Sequence, residues 1–180
     1  MGSGRLILCL AAIVVVAGCS SPSQPSTPPG QSSEARVGRI GDGDSLRLAD
    51  GREVRLLQID APELHPDCYG RDAAGELERL LPKGSIVELE ADRRLDDHDL
   101  YGRLLRYVWR GEENVNLQLV KLGAASPYFF RNQRGSYATD LLAAAKSARS
   151  AHLGLWGVCP RAELTPGLGS VTGPVSTQRG

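Results

Sequence analysis

The stretch Val54-Arg55-Leu56-Leu57-Gln58-Ile59-Asp60-Ala61-Pro62-Glu63 sets an arginine inside an apolar run and two carboxylates at its exit. A run this apolar reads as a buried strand. A strand that only fills a core has no use for Arg55, whose charge cannot be shed and is costly to bury without a partner. Pro62 biases Ala61 toward extended geometry, so the strand ends in a fixed turn. Arg, Asp and Glu delivered together at the rim of a rigid element can grip a phosphate beside a hard cation. The same residues could also make a structural ion pair at a strand end, and this segment alone does not separate the two.

The elements that must position these residues follow from the pattern around them. Residues 36–40 and 45–49 read as strands, and Asp50-Gly51 is a hairpin turn leading into a strand over residues 52–60. Residues 71–81 carry helix formers and stop at Pro82-Lys83-Gly84. Ile86, Val87 and Leu89 mark a fourth strand, residues 92–99 a polar loop and residues 101–109 a fifth strand. Residues 115–122 form a short helix ended by Gly123, and residues 137–152, rich in Ala and Leu, form the last. Five strands with one helix between the third and fourth and two after the fifth predict an α+β, mainly β, small closed barrel with helices packed outside.

The chain ends read differently. Arg5 and the apolar run over residues 6–17 have the pattern of a secretory signal and are too short to span a bilayer. The run closes on Val16-Ala17-Gly18-Cys19, which resembles the lipobox of bacterial lipoproteins, whose cysteine receives lipid; the alternative is an ordinary signal with a chance cysteine. Residues 19–34, rich in Ser and Pro, are expected to be a disordered tether, and residues 160–180 a disordered tail. The domain between them spans residues 35–159. Localisation is then the cell envelope, after export, with the membrane contacted through lipid on Cys19.

The 21 basic residues balance the 21 acidic ones, so no general basic footprint advertises nucleic acid and any grip on phosphate must be local. Of four cysteines, Cys9 leaves with the signal and Cys19 carries lipid. In an oxidising compartment Cys68 and Cys159 then have one pairing available, against the alternative of two free thiols. Two cysteines this far apart, without a Cys/His partner set, do not make a zinc site.

Five segments in order carry a resemblance: Asp42-Gly43-Asp44-Ser45, then Val54 to Glu63, then Asp99-Leu100-Tyr101-Gly102-Arg103, then Val115-Asn116 with Leu119-Val120 and Gly123, and finally Gly154-Leu155-Trp156. Together the chain resembles the staphylococcal nuclease (thermonuclease) family over about residues 36–157. The resemblance implies an OB-fold, a five-stranded barrel with about three helices. It implies calcium-dependent hydrolysis of phosphodiester bonds in DNA and RNA with low sequence specificity, since phosphate contacts carry no base information. Carried over by position, Asp44 and Asp60 are the side-chain calcium ligands, with the backbone carbonyl of Ala61 close by. Arg55 and Arg103 hold the scissile phosphate, and Glu63 acts on the attacking water, as its base or to position it. Ala61 stands where the founding enzyme has Thr. Tyr128 and Tyr101 are candidates for the phosphate side or for packing. The alternative is a non-catalytic module on the same barrel that binds nucleic acid or protein; five competent polar positions favour catalysis. No protein partner is implied and a monomer is expected.

One geometric condition attaches to the shared site. On a straight strand Arg55 and Asp60 lie roughly 16 Å apart and face opposite ways. A bend or bulge between Leu57 and Asp60 is therefore expected.

Overall fold

The computed structural model describes residues 32–171, together with Met1. The leader, Cys19 and the tether before residue 32 lie outside the described residues, as does the chain after residue 171. Strands β1 (Ser32–Ile40), β2 (Ser45–Leu48) and β3 (Glu53–Leu56) form an antiparallel meander. A two-residue strand β4 (Ile59–Asp60) follows a break in the backbone, and then comes helix α1 (Gly70–Leu80). Strand β5 (Ile86–Glu90) pairs with β1, and β6 (Leu104–Arg110) pairs with β5. β6 also runs parallel beside β3, with Arg55 opposite Leu105, and this closes a five-stranded barrel.

The remaining elements sit outside the barrel wall. β7 (Glu113–Asn114) ends the β6 hairpin and feeds α2 (Val115–Lys121), whose first turn is capped by the Asn114 side chain accepting from the Leu117 N–H. β8 (Ser126–Pro127) pairs with β4, Asp60 standing opposite Ser126. Helices α3 (Ala138–Ser150) and α4 (Leu155–Val158) complete the helical layer. Val37, Leu46, Leu48, Val54, Leu56 and Val108 fill the barrel, and Leu77, Leu119 and Leu141 cover it from α1, α2 and α3. Burying each such side chain contributes roughly 1.5–3 kcal/mol. No helix among the described residues is long and apolar enough to cross a membrane. The architecture is the mainly β barrel with outer helices that the strand order predicts.

Three expectations are corrected. The barrel begins at Ser32 rather than 35, because residues 32–36 continue the ladder with residues 86–90. The fifth strand starts at Leu104, because Tyr101 and Gly102 turn first, with Gly102 at φ +79. The chain after Pro160 is not without structure: β9 (Glu163–Thr165) and β10 (Gly169–Val171) form a hairpin. Leu164 packs against both the barrel core and the cluster around Trp156, and supplies the apolar anchor that composition concealed.

Candidate active site

The site is made by the break after β3. Gln58 takes φ 60, a left-handed backbone that a non-glycine residue adopts only when its surroundings enforce it. Those surroundings are identifiable. The Gln58 Oε1 accepts from the Gly135 N–H at 2.7 Å and its Nε2 donates to the Gln133 carbonyl at 2.8 Å. The Gln58 carbonyl accepts from the Tyr128 N–H at 2.9 Å. On the near side of the break the buried Asn116 Nδ2 donates to the Leu57 carbonyl at 2.9 Å, while its Oδ1 accepts from the Val108 N–H at 2.9 Å. The expected distortion therefore exists, and Gln58 and Asn116 hold it.

The kink turns Asp60 back toward Arg55. Arg55 Nη2 lies 2.7 Å from Asp60 Oδ1 and 2.9 Å from Asp44 Oδ2. Its Nη1 donates to the carbonyls of Leu56 at 3.0 Å and Ile59 at 2.8 Å, spanning the break itself. Asp44 arrives by register: the next residue, Ser45, stands opposite Arg55 in the β2–β3 ladder, and the Asp44 carbonyl accepts from the Leu56 N–H at 2.9 Å. The tight turn before it needs Gly43, where a β-carbon would lie 2.8 Å from that of Ala73. Asp44 Oδ2 also accepts from the Ala61 N–H at 2.6 Å.

Asp44 is only 5% exposed. Burial pushes its carboxyl up to about 8; the Arg55 guanidinium opposes that rise, while Asp42 and Asp60 add to it. Asp44 and Asp60 thus share one guanidinium in a place with little water, and Asp42 is near enough for its charge to be felt. Among the described residues no three carboxylates, imidazoles or thiols gather as a complete metal cage. Two aspartates fit a hard divalent cation that keeps water in its other positions.

Arg103 reaches the same region from the β6 side. It and Arg55 line one cleft of about 330 Å³, with Tyr101, Tyr128, Phe130 and Arg131 on the walls. The Arg103 Nε donates to Asp99 Oδ2 at 2.6 Å, and its N–H donates to Asp99 Oδ1 at 2.9 Å. Burial favours a raised Asp99 carboxyl, but hydrogen bonds from Arg103 and from the Tyr101 N–H outweigh it and hold the group below the usual range. The acidic loop is neutralised in part by arginines of the barrel: Asp99 by Arg103, and Asp97 by the buried Arg106 at 2.7 Å.

The structure thus brings Asp44, Arg55 and Asp60 together and sets Arg103 across the cleft. Glu63 stands apart. It is exposed on the turn after Pro62, and its N–H donates to Asp67 Oδ2 at 3.2 Å. At Ala61 it is the N–H that faces Asp44. Cys68 and Cys159 are joined, with S–S 2.09 Å, and tie the loop after this turn to the end of α4. Gln58 and Arg131 are contributors that sequence reasoning passes over. Gln58 left a signal, as the one polar residue between Leu56 and Ile59; Arg131, whose guanidinium lies 5.0 Å from the Phe130 ring centre, left none.

Known proteins resemble this chain. A family model described as staphylococcal nuclease homologue matches residues 53–158. The chain is similar to a thermonuclease of Staphylococcus intermedius, 32% identical over 165 residues that cover 86% of this chain and 96% of the relative. A thermonuclease of Staphylococcus hyicus is 33% identical over 129 residues, covering 67% and 74%. An uncharacterized endonuclease of Haemophilus influenzae is 32% identical over 125 residues, covering 67% and 65%.

Proposed function

The chain belongs to the staphylococcal nuclease homologue family, and from that premise we propose that Asp44, Arg55, Asp60, Glu63 and Arg103 make a calcium-dependent endonuclease site for DNA and RNA. The protein is a hydrolase of phosphodiester bonds. The observation that supports this placement is the kink that gathers Asp44, Asp60 and Arg55 at the edge of a cleft shared with Arg103.

A calcium ion held by Asp44, Asp60 and the Ala61 carbonyl would supply Lewis-acid polarisation of the phosphoryl group. The protein's own groups do the rest. Arg55 donates from Nη1 to two carbonyls and from Nη2 to Asp60, with Asp44 beside Nη2 as an ion pair. Arg55 also lines the cleft, where its guanidinium would meet a phosphate. Arg103 contacts the same phosphate from the opposite wall, and both guanidiniums gain strength as negative charge builds. Glu63, exposed three residues past Asp60, receives or orients the attacking water. Water adds to phosphorus, the P–O5′ bond breaks, and the products carry a 3′-phosphate and a 5′-hydroxyl. Sequence specificity is low because these contacts address the backbone.

The protein acts outside the cytoplasm as a monomer, held to a membrane by lipid on Cys19. Cys19→Ala should release it from the membrane fraction. The catalytic reading is tested by digesting DNA with the mature chain in calcium and in chelator, and by determining the product ends. Cleavage that stops in chelator and leaves 3′-phosphates is expected, with Glu63→Ala and Arg103→Ala each slowed about a hundredfold or more. Undiminished digestion in chelator, or in both variants, would reject the assignment.

A further inference from the structure

The hairpin that follows the family-matched region lies against one of the proposed cation ligands. It is fastened at its base by the Cys68–Cys159 disulfide and at its tip by the Phe129 N–H, which donates to the Pro166 carbonyl at 2.7 Å. Gly169 is buried at φ +77. A β-carbon built there would overlap Asp60 Oδ2 and lie 2.9 Å from Asp60 Cγ. The backbone of β10 is therefore laid directly on the carboxylate, at a distance only glycine permits. By contrast, a β-carbon at Gly167, two residues earlier in the same hairpin, would meet nothing within 4 Å.

Two ladders align at this point. Gly169 stands opposite Thr165 in β9–β10, and Asp60 stands opposite Ser126 in β4–β8. Directly opposed residues project to the same face, so Thr165 shares the face that Gly169 turns to Asp60, and Ser126 shares the face of Asp60 itself. The Thr165 Oγ1 and Ser126 Oγ are both buried, and neither has a hydrogen-bond partner among the described residues. Buried hydroxyls ordinarily find partners. Two that lack them, on the two ladder faces that meet at Asp60, mark a place that another polar group can occupy.

We propose that the hairpin Glu163–Val171 is the outer wall of the cation site: Gly169 sets the position of Asp60, and the hydroxyls of Thr165 and Ser126 accept hydrogen bonds from the water that a hydrated calcium ion brings. This rests on the cation reading of Asp44 and Asp60 given above. Gly169 and Thr165 are positioning residues in it, since they act through Asp60 and through water. A barrel of this family can then tune its ion affinity with a segment outside the barrel.

The test is calorimetric titration of calcium chloride into the metal-free mature chain and four variants. Gly169→Ala and Gly169→Asn should each weaken calcium binding about tenfold, and Gly167→Ala should leave it unchanged. Asn tolerates a left-handed backbone, so a loss in Gly169→Ala alone would trace to backbone strain and overturn the proposal. Parent-like affinity in both Gly169 variants, or an equal loss in Gly167→Ala, would overturn it as well. Should the Gly169 variants fail to fold, Thr165→Val decides: about a threefold loss supports the wall, and unchanged affinity contradicts it. A parent chain that binds no calcium would refute the cation reading together with this one, whereas a binding parent with unaffected variants would refute this one alone.

Discussion

Burial holds the Asp44 carboxyl up to about 8, against the pull of Arg55. The fold therefore prefers the neutral form, and between the ordinary carboxylate value near 4 and about 8 the folded chain binds more protons than the unfolded one. Its stability must fall as pH rises through that window. In chelator the melting temperature should drop from pH 5 to pH 8, and Asp44→Asn should flatten the drop; scanning calorimetry of both chains at several pH values reads this. An equal pH response in the variant would mean that another group carries it. At this scale the sequence was informative. Arg55 and Asp60 were legible because a charged residue inside an apolar run demands a partner, and their spacing demanded a bend; Asp44, which by itself reads as part of a turn, was singled out by the family resemblance alone. The pairing of Arg103 with Asp99 was not legible, since a lone arginine beside a loop carries no sign of which carboxylate it meets.

The decisive element is a strand that is broken rather than continuous. Its two halves pair with different neighbours, β3 with β2 and β6, β4 with β8. A single strand read over residues 52–60 could not announce that change of partner, because periodicity is silent about which strand lies alongside. Nor did it point to Gln58 as the left-handed residue, a conformation usually left to glycine or asparagine. The side-chain hydrogen bonds of Gln58 to residues 133 and 135 offset that strain. Gln58→Ala keeps the strain and loses both bonds, so it should destabilise by about 2–3 kcal/mol in denaturant titrations. Gln58→Gly relieves the strain and should lose about 1 kcal/mol less. If the two variants proved equally stable, the kink would not be under strain. The hairpin of β9 and β10 escaped sequence reading for a related reason: Gly, Thr, Ser and Pro read as coil, and only Leu164 marks the element as anchored.

For the whole molecule the Cys68–Cys159 bridge, separated by 91 residues, joins the turn that follows the site to the end of the last helix. In the chain-entropy model a loop of this length contributes about 4–5 kcal/mol. The double variant Cys68→Ser/Cys159→Ser should therefore unfold at markedly lower denaturant concentration, and a loss under about 1 kcal/mol would show that the helical layer alone holds the ends. The barrel, its closure and its outer helices were legible from strand count, helix placement and a hairpin turn. The exact ends were not, because ladders extend through polar residues such as Ser32 and Ser33 wherever backbone partners are on offer. The proposed function has one centre, a kinked barrel wall that brings Asp44, Arg55 and Asp60 together for cutting a phosphodiester bond. Arg55 bears on it most directly, since it joins the kink, both aspartates and the cleft. Calcium-supported cleavage of a single-stranded oligonucleotide should fall about a hundredfold to a thousandfold in Arg55→Lys at a temperature where the variant stays folded, because an ammonium cannot fork to carbonyls, carboxylates and phosphate. Cleavage by the folded variant within threefold of the parent would contradict the account.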